Sequence, residues 1–109
     1  MENPYLIILT TFPSKKTSNI TAFALLKSKL AACVQIIGPI ESHYWWQGKI
    51  EKAKEWLCII KSIKAKFKRV EKMIKANHPY SVPQIMALPI TAGSKEYLGW
   101  IGQGVDNGQ

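Results

Sequence analysis

The chain is poor in the residues that most chemistries require. Among 109 residues it has 2 cysteines, 2 histidines, 7 acidic residues and, as its only arginine, Arg69. The acidic residues are too scattered to offer a pair of carboxylates for acid–base work. Neither a nucleophile elbow nor a G-x-x-x-x-G-K-[ST] phosphate loop occurs, so no catalytic apparatus is expected. No apolar run approaches the roughly 18 residues of a membrane span, and the N-terminus lacks the basic region and cleavage site of a secretory signal. No membrane partner is expected, and the chain reads as cytoplasmic, with cysteines held as free thiols by a reducing compartment.

What remains is ordinary for a folded domain: 47% hydrophobic and 20% charged residues, with no repeat, linker or low-complexity tract. One domain is expected over 1–109, with the polar, glycine-rich tail "GQGVDNGQ" frayed. The net charge of +8 and the pI near 9.6 invite an acidic partner or serve solubility alone.

"PYLIILTTF" (4–12) is short, β-branched and bounded by prolines, which predicts a buried strand. In "PSKKTSNITAFALLKSKLAA" the spacing of Ile20, Phe23, Leu26 and Leu30 predicts a helix with that stripe inward, behind the caps Ser14, Thr17 and Ser18. "ACVQIIGPIESHYWW" and "IEKAKEWLCIIKS" read as two strands joined at Gln47-Gly48 into a long antiparallel hairpin. From Ile63, the residues Phe67, Val70 and Ile74 mark the inner face of a second helix, ending where Asn77 caps it and Pro79 forbids continuation. "PQIMALPI" is a fourth strand, and "SKEYLGWI" a closing helix with Ser94 as N-cap. The order β-α-β-β-α-β plus a helix predicts an α+β, ferredoxin-like sandwich.

Such a sandwich leaves one sheet face open, and a strand wet on one side should alternate apolar and polar residues. "YLIIL", "WLCII" and "IMALPI" do not alternate. Another copy of the chain is the expected cover, giving an obligate homo-oligomer built sheet to sheet.

The potential metal ligands Cys33, Cys58, His43 and His78 show no ligand spacing in sequence. With the turn at Gln47-Gly48, paired residue numbers sum to 95, which sets Cys58 opposite Ile37 and Cys33 opposite Ser62. The sulfurs then lie roughly 13 Å apart along the ladder, which excludes a disulfide or shared metal within one chain. Pro39 inside the strand implies a bulge able to shift this register by one residue. Of the four, His78 in its loop is the better ligand candidate. Lys61, Lys64, Lys66, Lys68, Arg69, Lys72 and Lys75 could form a basic stripe for phosphates or simply a solvated face. The stacking aromatics of an RNA-recognition sheet are missing from "EWLCIIK", and the glycine and arginine of an acylphosphatase loop are missing from "TFPSKKTSN". Nucleic acid is not the expected partner.

"LAACVQIIGPIESHYWWQGKIEKAKEWLCIIKS" together with "IKANHPYSVPQIMALPITAGSKEYLGWI" resembles the CutA family, the divalent cation tolerance proteins. The resemblance runs from the first strand through "YLGWI". It implies a tight homotrimer of ferredoxin-like subunits, similar in architecture to the PII signalling proteins, with tolerance to copper and other divalent cations and no established enzymatic activity. Of the copper-binding set known in bacterial relatives only His78 carries over; Thr10 and Asn77 stand at the other two positions. Gln35 stands for a common asparagine, and Ser81 and Gln84 for common glutamates. These departures argue against tight copper binding through that set; what the resemblance implies as ligand is Cu2+ or another divalent cation held at a weaker or differently built site. The alternative is a PII-like module for a small effector, with an anion near Lys15, Lys16 and the first helix N-terminus and metal incidental.

The aromatic run in "SHYWWQGKI" lies at the far end of the hairpin, where Tyr44, Trp45 and Trp46 alternate faces and cannot form one stacking platform. These rings are expected to grip a neighbouring subunit of the trimer, with His43 at the interface or its rim.

Overall fold

Residues 4–105 are described by a computed structural model of the chain. The elements are β1 (Tyr5–Phe12), α1 (Lys15–Lys27), β2 (Cys33–Trp46), β3 (Lys49–Ile63), a 3-10 turn (Lys64–Lys66), α2 (Phe67–Asn77), β4 (Ile85–Pro89) and α3 (Lys95–Gly104). They build one antiparallel sheet of order β2-β3-β1-β4, the split βαβ arrangement expected. Ile63, read above as the first residue of the second helix, instead ends β3 and pairs with Tyr5. Of the tail, residues 102–104 complete α3 and Val105 is buried, so this part is not frayed; residues 106–109 lie outside the described residues.

Along β1, Leu6, Ile8, Thr10 and Phe12 are buried beneath the helices, while Tyr5, Ile7 and Leu9 on the other face are half-covered. On β3 the same alternation sends Cys58, Ile60 and Ser62 to the helix side. α2 closes this core with Val70 and Ile74, as the spacing predicts.

α1 departs from expectation. Ser14 caps it, its Oγ accepting from the Thr17 N–H at 3.1 Å. The inward residues, however, are Ser18, Thr21, Ala22 and Leu25, whereas Ile20 and Phe23 are 50% and 69% exposed and Leu26 is also at the surface. The buried set has helical spacing, but apart from Leu25 it is made of small residues. The large apolar stripe of the sequence points outward; only Leu30, beyond the helix end, is buried.

Gln47 (φ 50°) and Gly48 (φ 78°) form the hairpin turn, both left-handed, as a type I′ connection demands. Pairs sum to 95 from Trp46↔Lys49 down to Ile40↔Glu55, and to 94 from Ile37↔Leu57 to Cys33↔Lys61. Gly38 and Pro39 thus stand opposite Trp56 alone, a bulge that shifts the ladder by one residue. Cys58 pairs with Ile36 and Cys33 with Lys61, which puts the two free thiols on opposite faces.

The bulge also inverts the parity of β2. Cys33, Gln35 and Ile37 lie on the open face before it, and Ile40, Tyr44 and Trp46 lie there after it. Beyond the bulge the hairpin projects from the body. The chain measures 44 × 26 × 21 Å, and its radius of gyration of 14.5 Å exceeds the ~13 Å of a compact chain of this length.

α3 covers one end of the open face. Lys61 Nζ donates to Gln35 Oε1 at 2.8 Å and to Tyr97 Oη at 3.2 Å, and Tyr97 stacks on Trp100. Elsewhere this face carries accessible apolar residues: Ile37, Met86 and Leu88 are 51%, 46% and 45% exposed. No helix among the described residues is long and apolar enough to cross a membrane.

Candidate functional site

β4 begins opposite Thr10, so beyond that point the β4 side of β1 has no strand to pair with. His78 fills the gap. Its Nε2 lies 2.6 Å from the Thr11 carbonyl oxygen, its ring stacks on buried Phe12 with centroids 4.4 Å apart, and its Nδ1 accepts from the Tyr80 N–H at 3.1 Å. A carbonyl can only accept and a backbone amide can only donate, which assigns the proton to Nε2 and the lone pair to Nδ1.

Anchored this way, the loop after α2 carries Tyr80 over the sheet, where its hydroxyl donates to Glu55 Oε2 at 3.2 Å. Glu55 is only 6% exposed. Burial, together with the charge of Glu55 beside it, pushes the Tyr80 phenol above its ordinary range, so the hydroxyl keeps the proton it donates.

Around this pair is a cavity of about 430 Å³ lined by Thr11, Tyr44, Trp46, Glu55, Tyr80, Ser81, Val82 and Gln84. The hairpin stem supplies one wall, the end of β1 the base and the 80–84 loop the other wall. Tyr44 and Trp46 face it because the bulge turned them to the open side; Trp45, 71% exposed, faces away.

The other candidates disperse. Thr10 is buried under the helices and Asn77 turns back to donate to the Met73 carbonyl at 2.9 Å. His43 is exposed on the hairpin, where Glu41 meets both its Nε2 (3.1 Å) and Lys52 (3.7 Å). The first turn of α1, with Lys15 and Lys16, is capped by its own Ser14. The basic stripe is broken: Lys61 lies on the opposite sheet face from α2, Lys66 is buried, and Lys75 pairs with Glu71 at 3.3 Å.

Among the described residues no three His, Cys, Asp or Glu side chains converge. With both nitrogens of His78 engaged, the described residues do not build a divalent-cation centre within one chain. Glu55 was missed by the sequence reading although a signal existed: in the hairpin register it shares a face with its neighbours Leu57 and Ile59, which sets a carboxylate beside two apolar residues where the sheet body begins.

The CutA1 divalent ion tolerance protein family matches residues 6–104. The chain belongs to this family. The divalent-cation tolerance protein CutA of Archaeoglobus fulgidus is 46% identical over 99 residues, covering 91% of this chain and 96% of that protein. Its counterpart in Thermus thermophilus is 41% identical over 95 residues, covering 87% and 92%. The chloroplastic CutA 1 of Oryza sativa is 41% identical over 98 residues, 90% of this chain but 55% of that longer protein. Among solved structures, Oryza sativa CutA1 superposes with a TM-score of 0.92 at 38% identity, covering 95% of each chain. This CutA-family chain therefore keeps the family fold.

Proposed function

We propose that the chain works as a homotrimeric binding protein that takes a small effector at the cavity beside each hairpin, within the divalent-cation tolerance role of its family. The observation that carries this reading is the open sheet face. Ile37, Met86 and Leu88 remain about half exposed, and the projecting hairpin exposes Trp45, Trp46 and Ile50. Apolar area of this extent belongs against another copy of the chain. Tyr44, Trp45 and Trp46 then act as interface anchors, and the cavity lies at the edge of the contact, where a neighbour narrows its mouth.

Divalent cations, Cu2+ included, bind weakly in this reading. His78 offers only Nδ1, the more exposed nitrogen, in exchange for the Tyr80 N–H. The site of action is the cytoplasm, where both thiols stay reduced.

Equilibrium sedimentation tests the assembly: a particle three times the 12.3 kDa chain is expected, and a monomer at micromolar concentration sinks the proposal. A copper titration followed by tryptophan quenching tests the metal part. Saturation only at high concentration, weakened in His78→Ala, is expected; tight stoichiometric binding would show a centre that these residues do not form.

A further inference from the structure

Glu55 is 94% buried by residue area, and among the described residues its carboxylate has no cationic partner, only the hydrogen bond from Tyr80. A buried charge is normally paired, because leaving water is costly unless an opposite charge or several hydrogen bonds replace it. The chain has many lysines, yet none pairs with this carboxylate within the described residues. The cavity beside it is of a size that holds small ligands.

The walls narrow the class of ligand. Tyr80 meets the carboxylate, Tyr44 and Trp46 line the same cavity further along the hairpin, Val82 adds an apolar edge, and the remaining polar lining, Thr11, Ser81 and Gln84, carries no charge. The rings attract a cation through their π faces, most strongly when it is alkylated and weakly hydrated. A small metal ion needs several oxygen or nitrogen ligands; here one carboxylate stands alone. An anion would face Glu55 directly. We propose that this cavity binds an organic ammonium group, its cationic head against Tyr80 and Tyr44 and its charge neutralised by Glu55. This assignment rests on the effector-binding reading above and gives it a ligand chemistry.

Calorimetric titration of the full-length protein with choline, and with 3,3-dimethylbutan-1-ol as its uncharged isostere, tests the assignment. Choline is expected to bind saturably, about tenfold or more tighter than the isostere. Glu55→Gln, which keeps the shape and the Tyr80 hydrogen bond, should lose that preference, and Tyr80→Leu, which keeps bulk but removes a π face, should weaken choline alone. Equal binding of the two probes, or choline binding untouched by Glu55→Gln, overturns the assignment. If a neighbour's lysine already occupies the cavity, neither probe binds while sedimentation still reports a trimer, and the ammonium ligand falls without the assembly. A saturable thermal shift with anionic metabolites but not with choline would leave the effector-binding reading standing and refute only the cationic class. No binding by either charge class would remove both.

Discussion

The Nε2–H of His78 reaches the Thr11 carbonyl at 2.6 Å, taking the place of a strand neighbour that β4 is too short to provide. With Nδ1 held by the Tyr80 amide, the ring fastens the 80–84 loop to the sheet and so sets the position of Tyr80 over Glu55. His78→Ala should therefore cost about 1–3 kcal/mol, the range for leaving a buried hydrogen-bonding group without its partner. Urea unfolding is the measurement. An unchanged midpoint would mean that the ring does not hold the loop.

Gly38 lies against the indole of Trp56, and a Cβ there would run into the ring at Cδ1 and Cγ. Gly38→Ala should destabilise by about 1–3 kcal/mol, as overpacking does, and alter the Trp56 emission. Since the bulge at Gly38–Pro39 decides which residues of β2 face the open side, the same variant should also disturb the surroundings of Tyr44 and Trp46. A variant with wild-type stability and wild-type fluorescence would contradict this placement.

How much of this was legible in the sequence depended on whether local chemistry decided the outcome. Gln47-Gly48 specified the turn, and Pro39 announced the one-residue shift that the ladder shows. The two-sided apolar strands pointed to the open face that Ile37, Met86 and Leu88 leave accessible. α1 misled because hydrophobic spacing weights large side chains, whereas Ser18, Thr21 and Ala22 were buried for their small size. His78 was singled out as a ligand, but its partner carbonyl, Thr11, lies far away in sequence and is exposed to it only because β4 begins no earlier than Ile85. Glu55 and Tyr80 meet across two separate segments, β3 and the loop after α2, a juxtaposition that no spacing along the chain encodes.

Leu88 lies on the open face of β4 at 45% exposure, so a charge there costs the isolated chain little. In a sheet-to-sheet assembly it would be buried without a partner. Leu88→Lys should dissociate the oligomer while leaving the far-ultraviolet circular dichroism of the subunit intact. Trp46→Ala, at the hairpin end, should loosen the assembly by a smaller amount, and should do so before it affects any response to copper. Sedimentation across a concentration series separates the two, and a Leu88→Lys protein that sediments like the wild type would place the interface elsewhere.

The two thiols should differ sharply. Cys58 is 1% exposed beneath α1, and burial pushes its thiol above the ordinary range. Cys33 lies on the other sheet face and is partly accessible. Reaction of the folded protein with a thiol reagent at neutral pH should modify at most one cysteine per chain, Cys33, with Cys58 reacting only after denaturation. The raised value has a consequence for stability with a definite sign. From pH about 9 upward the unfolded chain gives up the Cys58 proton while the folded chain retains it, so the folded state binds more protons and its stability falls as pH rises. Cys58→Ala, measured by urea unfolding at pH 8 and pH 10, should reduce this dependence; an equal loss in both proteins would assign the alkaline slope to other groups. Fast modification of Cys58 in the native state would show that α1 opens readily from the sheet.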